Sequence, residues 1–279
     1  MIIIEEEASR DARFCAAMDS VINFHNRERT GIGMQKEKSL HAILKNYMDP
    51  DPSHQEIPVG PFIADICDEQ AGRIVEVQTA NLGAMRQKLS AFLPDWQVTV
   101  LHPIPHRKTI TWIDPKTGEL LKSNPSRTTG SFYEIFRELY KIDAFLSDPN
   151  LTVMPVLIDL TEYRLQDGWS RDGKRGSHRF ERMPEGIYDE LILRTPEDYA
   201  VFLPADKDAL PDPFTAKEFE EAVGIHRKSL QYATVLRILT ELGVVERVGQ
   251  TARRAWQYHI RIQNLTQKDY CRTKKGSRK

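Results

Sequence analysis

Three acidic residues and one glutamine stand at positions where their chemistry can converge. Asp65 lies in the apolar segment PFIADI, Glu76 and Gln78 lie in the apolar segment RIVEVQ, and Glu37 lies in a predicted helix. Residues two apart on a strand point to the same face, so Glu76 and Gln78 share a face. A carboxylate in an apolar setting is costly unless it is paired or binds a metal ion. Three converging carboxylates would suit a hard divalent cation such as Mg²⁺, which prefers oxygen ligands.

The elements that must position these residues follow from the pattern of apolar side chains. Residues 34–48 show helical spacing, and the two prolines of residues 49–52 end that helix. Three strands, a helix and a fourth strand are predicted next: Gln55–Val59, Pro61–Ile66, Arg73–Gln78, Asn81–Leu93 and Gln97–Ile104. A hairpin of the second and third strands would set Asp65 beside Glu76.

The helix over residues 34–48 would bring Glu37 to the same place. Glu37 is in line with Leu40, His41 and Leu44, the side of the helix that should face the sheet. The other interpretation is that Asp65 and Glu76 are strand-end residues on a solvated face. The two interpretations differ in the burial that they predict for the carboxylates.

This order of elements, with an aspartate on the second strand and Glu-x-Gln on the third, resembles the PD-(D/E)XK nuclease superfamily. The resemblance covers residues 34–104, with further strands to about residue 193, and implies an α/β, restriction-endonuclease-like core with a mixed sheet. It implies that Asp65, Glu76 and the backbone carbonyl of Val77 hold Mg²⁺ or Mn²⁺. Glu37 would be the assisting helix glutamate of that superfamily, and the catalytic residues would be Glu37, Asp65, Glu76 and Gln78.

Gln78 departs from the pattern of the superfamily, which usually has lysine at this position. A glutamine side chain can orient water or a phosphate, but it carries no charge. A lysine from elsewhere could supply the cation, and the nearest in sequence are Lys38, Lys88 and Lys108. His102 and His106 flank Pro-Ile-Pro, which excludes a helical pair and leaves a pair at the end of a strand.

The rest of the first domain adds predicted elements without further motifs. They are a hairpin of Thr109–Ile113 with Glu119–Lys122, an amphipathic helix over Ser131–Leu146 and a buried strand over Thr152–Tyr163. Pro155 places that strand near an edge or a bulge. A polar loop over residues 164–184 follows, and Ile187–Leu193 forms a last strand or a helical turn.

The loop contains the basic segment SRDGKRGSHRFER, residues 170–182. Its cations and rings suit phosphate contact and stacking on a nucleic acid strand. The residues predicted to bind nucleic acid there are Arg171, Lys174, Arg175 and Arg179. A plain surface loop is the other interpretation.

The segment Pro204–Pro213 is rich in proline and aspartate and predicts a domain boundary. Helices over Thr215–Val223 and Ser229–Leu242 and a hairpin over residues 244–262 follow, and this order resembles a winged-helix domain. The resemblance implies DNA contacts from the second helix and from the tip of the hairpin, through Arg227, Lys228, Gln231, Arg253 and Arg254. Residues 225–262 have seven basic and two acidic residues, which favours a polyanion partner. Contact with a protein, or autoregulation, is the alternative.

Four parts are therefore predicted: an N-terminal adaptor segment, a nuclease-like domain, a winged-helix-like domain and a basic tail, over residues 1–30, 31–204, 205–262 and 263–279. No segment approaches the roughly 20 apolar residues of a membrane helix, and no secretory signal is evident. Three distant cysteines without CxxC spacing favour a reducing, cytoplasmic compartment. The net charge of −1 means that any binding of nucleic acid must depend on local charge.

These observations predict a metal-dependent DNA endonuclease of the restriction or defence kind. Its partner would be DNA, no membrane is involved, and a homodimer is left open. The first alternative is a non-catalytic DNA-binding regulator with a decayed nuclease fold, which Gln78 favours. The second is a protein-interaction adaptor, which would have no affinity for DNA at low salt.

Overall fold

The structure is a computed structural model that describes residues 7–28, 39–166, 178–204, 206, 209–225 and 231–261. The chain divides into two compact units, Met1–Arg194 and Thr195–Lys279. The division falls before the proline-rich segment in which the boundary was predicted. None of the helices in the described part of the chain has the length and apolarity that crossing a lipid bilayer requires.

Unit 1 contains four α-helices and seven strands among its described residues. The helices are α1 (Glu7–Glu28), α2 (Ser39–Met48), α3 (Arg86–Phe92) and α4 (Phe136–Leu139). The strands are β1 (Gln55–Val59), β2 (Phe62–Asp68), β3 (Arg73–Val77), β4 (Gln97–Ile113), β5 (Leu120–Pro125), β6 (Leu151–Leu165) and β7 (His178–Glu190). The order α2, β1, β2, β3, α3, β4 is the order that the sequence predicts.

The seven strands form one mixed sheet in the order β1-β2-β3-β4-β6-β7, and β5 pairs with β4. β3 and β6 lie parallel to β4, and the other pairs are antiparallel. β3 pairs with β4 only as far as Leu101, whereas β5 pairs from Thr109 onward. The second half of β4, with β5, β6 and β7, therefore extends beyond the part of the sheet that β3 reaches.

One cluster of buried core residues joins this sheet to the first two helices. It joins Phe14 of α1 and Ile43 of α2 to the apolar residues Leu101 of β4 and Ile158 and Leu160 of β6. The N-terminal helix is thus part of the core of unit 1. Burial of such aliphatic and aromatic side chains contributes on the order of 1.5–3 kcal/mol each.

Three predictions for unit 1 need correction. The predicted helix over Ser131–Leu146 consists of a 3₁₀ turn, the four-residue α4 and a second 3₁₀ turn. Phe136, Leu139 and Ile142 are all buried and spaced by three, which suits 3₁₀ geometry as well as an α-helix. The predicted strands 97–104 and 109–113 are one strand, β4.

The third correction concerns the end of unit 1. The predicted polar loop over residues 164–184 is in part strand, because β6 continues to Leu165 and β7 begins at His178. The register of β6 with β7 shifts between Leu157 and Ile158, which agrees with the predicted bulge near Pro155. The edge alternative is wrong, because Pro155 lies on an interior strand, at a position that precedes the regular pairing of β6 with β7, which starts at Val156. Its missing N–H therefore interrupts no regular pair with β7.

Gly130 holds the segment before α4 against β4, and this contact makes a testable prediction. Its N–H donates to the carbonyl of His106 at 2.7 Å, and a Cβ on it would lie 1.9 Å from the carbonyl oxygen of Pro105. We expect Gly130→Ala to lower the free energy of unfolding by about 3 kcal/mol, because backbone must move. Urea unfolding measures this change, and Gly186→Ala, where nothing lies within 4 Å, should have little effect. Equal stability of the two variants would contradict the prediction.

Unit 2 contains two helices and three short strands among its described residues. They are β8 (Phe214–Thr215), α5 (Ala216–Val223), α6 (Tyr232–Glu241), β9 (Val245–Gln250) and β10 (Trp256–Ile260), and the strands form an antiparallel sheet in the order β8-β10-β9. Thr215 and Glu218 form the capping box of α5 that the sequence predicts. Phe214, Phe219 and Tyr258 stack in its core.

Candidate active site

The two carboxylates predicted to act together lie where β2 and β3 diverge. Pairing of these strands runs from Asp68 and Arg73 to Ile66 and Val75 and ends there. Asp65 and Glu76 are the next residue on each strand. The preceding half of β2 pairs with β1 instead. The sequence thus sets both carboxylates at the mouth of a gap in the sheet, as the register argument predicts.

Asp65 is held by a backbone group and by a side chain of α2. Its Oδ2 accepts a hydrogen bond from the Val77 N–H at 2.8 Å and lies 3.2 Å from Nε2 of His41. Burial alone would raise the pKa of Asp65, but the His41 ring, the Val77 N–H and the charge of Lys88 together lower it below its usual range. Asp65 is therefore ionised at neutral pH, and Nε2 of His41 must be the donor, because an ionised carboxylate only accepts.

Glu76 is the more deeply buried of the two, with 2% of its surface exposed. This burial excludes the interpretation that it lies on a solvated face. Lys88 of α3 donates to both of its oxygens, at 2.9 Å to Oε1 and 2.7 Å to Oε2. Burial, followed by the charge of Asp65, raises the pKa of Glu76 to about 7 in spite of Lys88. The two carboxylates thus repel each other, and a further cation in the cleft would relieve this repulsion.

One of the backbone carbonyls that follow Glu76 also faces the gap between β2 and β3. The N–H of Val77 bonds the Asp65 side chain, whereas the N–H of Gln78 bonds the carbonyl of Leu101 on β4. Since the N–H and C=O of one strand residue point to the same neighbour, the Val77 carbonyl faces the space that β2 has left. Gln78 is fixed by His102, whose Nδ1 lies 2.6 Å from its carbonyl oxygen.

His102 is a buried neutral group that supports Gln78. Burial lowers its pKa below the ordinary value, so Nδ1 carries the proton that is donated to the Gln78 carbonyl. His106 does not lie beside it at the site, because His106 bonds Asp159 at 2.8 Å and stacks on Tyr188. The two histidines therefore do not form the strand-end pair that the sequence leaves open.

These groups line one open cleft of about 300 Å³. Its lining combines the two carboxylates and Lys88 with polar and apolar neighbours from α2, β2, β3 and the turn into α3. The lining residues are His41, Phe62, Asp65, Glu76, Val77, Gln78, Ala84, Met85, Gln87 and Lys88. The cleft thus contains acidic, basic and amide groups within reach of one small ligand.

The donor set of the cleft fits Mg²⁺ or Mn²⁺. Within the described ranges, no group of three or more His, Cys, Asp and Glu side chains is placed to hold a metal ion. Two carboxylates are present, however, together with a backbone carbonyl at the same gap. Mg²⁺ is commonly bound by one or two carboxylates, with water and substrate phosphate completing its shell. Glu37, the third predicted carboxylate, lies outside the described residues.

The raised pKa of Glu76 predicts a pH-dependent stability. Because its folded pKa of about 7 lies above its ordinary value of 4.5, the folded state favours the neutral form. Stability is fully present below about pH 4.5 and is lost as the pH rises through 7, by about 3 kcal/mol at 1.36 kcal/mol per unit. We expect Glu76→Gln to lack this loss and to be the more stable protein above pH 7 in EDTA.

Urea unfolding of both proteins between pH 4 and pH 8 measures this difference. Glu119→Gln is the control, because Glu119 is exposed on a turn of the same unit and should leave the wild-type profile unchanged. Parallel profiles for wild type and Glu76→Gln would contradict the prediction.

The structure separates the predicted basic residues into several groups. Arg179 lies on β7 and contacts Glu162 at 3.2 Å rather than lying in a loop. Lys108, a candidate for the missing lysine, also lies near Glu162, at 3.8 Å, and not in the cleft. Arg171, Lys174, Arg175, Arg227, Lys228 and Lys38 lie outside the described residues.

In unit 2, three of the predicted contact residues are described. Gln231 is exposed and precedes α6, where it occupies the N-cap position. Arg253 and Arg254 are exposed in the turn between β9 and β10. Arg254 has a positive φ of 62°, and its N–H donates to the carbonyl of Thr251. These positions are consistent with the predicted second helix and hairpin tip.

Sequence reasoning did not assign His41 to the site, although it placed His41 on the sheet-facing side of its helix. His41 is four residues after Glu37, and this helical spacing was the available signal. Of the three lysines that the sequence offers, Lys88 and Lys108 are described, and of these two Lys88 reaches the cleft. Its position near the middle of the helix after the Glu-x-Gln strand was the signal for it.

Comparison with known proteins gives two similarities. Residues 38–194 match the protein family described as Domain of unknown function (DUF8091). The chain is 31% identical over 183 residues to an "Uncharacterized protein" of Treponema pallidum (strain Nichols), across 65% of this chain and 67% of the relative. No solved structure matches the chain significantly. The family match ends where unit 1 ends, and it contains Asp65, Glu76 and Lys88.

Proposed function

This chain belongs to the family described as Domain of unknown function (DUF8091), and from the geometry of its cleft we propose that it is a metal-dependent nuclease that hydrolyses phosphodiester bonds of DNA. The observation that carries the proposal is the meeting of Asp65, Glu76 and Lys88 in one cleft where β2 and β3 diverge. Two carboxylates can hold a divalent metal ion, and a cation beside them can stabilise charge on a phosphate, so this set suits metal-assisted hydrolysis of a phosphodiester.

The order of elements supports a nuclease-like core. The α2, β1, β2, β3, α3, β4 succession, the mixed sheet and an aspartate and a glutamate on neighbouring strands are the features expected of the PD-(D/E)XK superfamily. Asp65, Glu76 and the Val77 carbonyl would hold Mg²⁺ or Mn²⁺. When bound, such an ion lowers the pKa of a bound water and neutralises charge on a phosphate.

The residues of the chain have separate roles in this mechanism. Asp65 stays ionised because His41 and the Val77 N–H fix it. Glu76 supplies the second negative charge once a cation lowers its pKa. Gln78, held through its backbone by His102, can orient water or a phosphate oxygen by hydrogen bonds.

Lys88 supplies the charge that Gln78 lacks. Its ammonium group lies in the cleft on Glu76, and its side chain is 24% exposed, so it can also contact a ligand that enters. A lysine on a flexible stem can turn from the carboxylate to a phosphate oxygen. In this role it would stabilise the negative charge that develops on the phosphate during hydrolysis.

Unit 2 supports DNA as the substrate. Its order of elements is the one expected of a small winged-helix-like domain, with β9 and β10 as the hairpin. Arg247 lies over the exposed Trp256 ring at 4.8 Å, and Arg253 and Arg254 follow in the turn. Arginine and an exposed ring beside each other suit contact with phosphates and bases.

A second function is favoured by one specific observation. Lys88 occupies both oxygens of Glu76, which is the arrangement expected if an ion pair has replaced the metal ion. Together with Gln78, this contact favours a non-catalytic DNA-binding regulator with a decayed nuclease fold. The two functions predict the same binding to DNA and differ in cleavage.

Incubation of the full chain with supercoiled plasmid tests the proposal. We expect nicked or linear product with Mg²⁺ or Mn²⁺ and none with EDTA. Binding without cleavage under every metal condition would favour the regulator. No binding to DNA at low salt would leave a protein-interaction adaptor as the remaining interpretation.

A further inference from the structure

Among the described residues, four cations surround one fully buried carboxylate on the part of the sheet that extends beyond the cleft. Glu162 of β6 has none of its surface exposed. Its Oε1 accepts from Nε of Arg164 at 2.7 Å. Its Oε2 lies 3.2 Å from Arg179, 3.4 Å from Arg182 and 3.8 Å from Lys108. We call these four cations with Glu162 the β-sheet cation cluster.

The cluster has a surplus of positive charge. Among the described residues, Glu162 is the carboxylate in contact with all four cations, and no second carboxylate forms an ion pair with them. One negative charge thus faces four positive charges. Each arginine has five N–H donors, and a single carboxylate cannot accept from most of them.

The pKa shifts of Glu162 and Arg182 agree with this surplus of positive charge. Burial alone would raise the pKa of Glu162, but the surrounding cations, Arg164 first, lower it, so the carboxylate stays ionised. Burial and then the charge of Arg179 lower the pKa of Arg182. The cations therefore repel one another, and an added anion would relieve that repulsion.

The cluster is accessible to a ligand. Arg179 is half exposed, and Lys108, Arg164 and Arg182 each expose about a quarter of their side chains. Trp112 lies opposite Arg164 in the β4–β6 register, and Lys122 of β5 is 5.8 Å from its ring. Cations spread over neighbouring strands beside an aromatic ring form a surface that suits a nucleic acid strand.

The cluster lies along the same strand as the cleft. The carbonyl of Leu101 on β4 accepts from Gln78, and Lys108 follows seven residues later on β4. At about 3.3 Å per strand residue, these two points on β4 are roughly 23 Å apart along the strand. This distance corresponds to about seven base pairs of duplex DNA.

We propose that the β-sheet cation cluster is a second binding site of unit 1, which anchors the phosphodiester backbone of DNA away from the cleft. This inference rests on the proposed function for the identity of the polymer. Glu162 orders the four cations, and their remaining donors bind phosphate oxygens. The anchor carries no catalytic group, so it acts on affinity and on the position of the strand.

Binding of a fluorescein-labelled duplex of about 20 base pairs, measured by anisotropy in EDTA at several salt concentrations, tests the anchor. The variants are Lys108→Gln and Arg179→Gln, because their removal leaves Arg164 and Arg182 in contact with Glu162. We expect each to weaken binding several-fold at low salt and to reduce the salt slope by about 0.9, the value for one phosphate contact. In the double variant, the salt slope should fall by about twice that amount.

Arg137→Gln is the matched control, because it removes one exposed positive charge of α4, outside the cluster. Wild-type affinity and slope in both cluster variants, or an equal change in the control, would overturn the anchor. A labelled polyglutamate peptide forms a second arm, and variants that lose the peptide but keep DNA would also overturn it. Thermal unfolding of each variant verifies that it is folded.

The outcome is separable from that of the proposed function. Binding in EDTA involves no cleavage. If the cluster variants change the salt slope of DNA binding but the wild-type protein shows no metal-dependent cleavage, the anchor is supported and the nuclease function is rejected. Cleavage by wild type with unchanged binding in the cluster variants rejects the anchor alone.

Discussion

Replacement of Glu76 by glutamine should reduce Mg²⁺-dependent cleavage of plasmid DNA by about a thousandfold or more. The substitution keeps the shape of a side chain that is 2% exposed and removes one of two carboxylates that would hold the metal ion. A thousandfold loss corresponds to about 4 kcal/mol of transition-state stabilisation, which is within the several kcal/mol that a bound metal ion supplies. Gel analysis of nicked and linear products over time measures the rate.

The control for this experiment is Glu119→Gln, which removes a carboxylate from an exposed turn of the same unit. It should cleave at the wild-type rate. DNA binding in EDTA should be nearly unchanged in Glu76→Gln, since the variant keeps the basic surfaces. Cleavage by Glu76→Gln at the wild-type rate would reject the cleft as the catalytic site.

Replacement of Lys88 by glutamine should change cleavage and metal binding in opposite directions. The Lys88 ammonium group lies 2.7 Å from Oε2 of Glu76, where it competes with a metal ion for the same oxygens. Its removal should tighten Mn²⁺ binding at least tenfold, or about 1.4 kcal/mol. Cleavage should fall by about 10²- to 10³-fold, the cost of losing one charge that stabilises the transition state. Calorimetry measures the first effect and the plasmid assay the second.

Two further variants distinguish this role from a structural one. Lys88→Arg keeps the charge and should retain part of the activity, whereas Lys116→Gln, which removes a charge from an exposed turn, should match wild type. A lysine that only stabilised the fold would lower metal affinity and cleavage together. Weaker Mn²⁺ binding in Lys88→Gln, or unchanged cleavage, would contradict the account.

The carboxylates of the site could be predicted from the sequence because local pattern determines their faces. Alternation placed Glu76 and Gln78 together, and the short polar turn between β2 and β3 fixed the register that brings Asp65 beside them. The residue that supplies the positive charge missing at Gln78 could be predicted only as one of three lysines, Lys38, Lys88 or Lys108. Which of them reaches Glu76 depends on how α3 packs on the sheet, and that packing is a tertiary property.

The far end of the sheet was harder to predict for the same reason. The sequence around Arg179 and Arg182 is polar and charged, so it resembles a loop, yet it forms β7 because β6 provides a neighbour to pair with. Glu162 gave no signal of its own in the sequence, since its four partners come from three different strands. The spacing of apolar residues in Ser131–Leu146 fits both α and 3₁₀ geometry, so pattern alone could not decide between them.

Anomalous scattering from crystals grown with Mn²⁺ tests the central claim most directly. The account predicts one strong peak bound by the carboxylates of Asp65 and Glu76 and the Val77 carbonyl, with the Lys88 ammonium group moved off Glu76. An empty gap between β2 and β3, with Lys88 still bonded to both Glu76 oxygens, would contradict it.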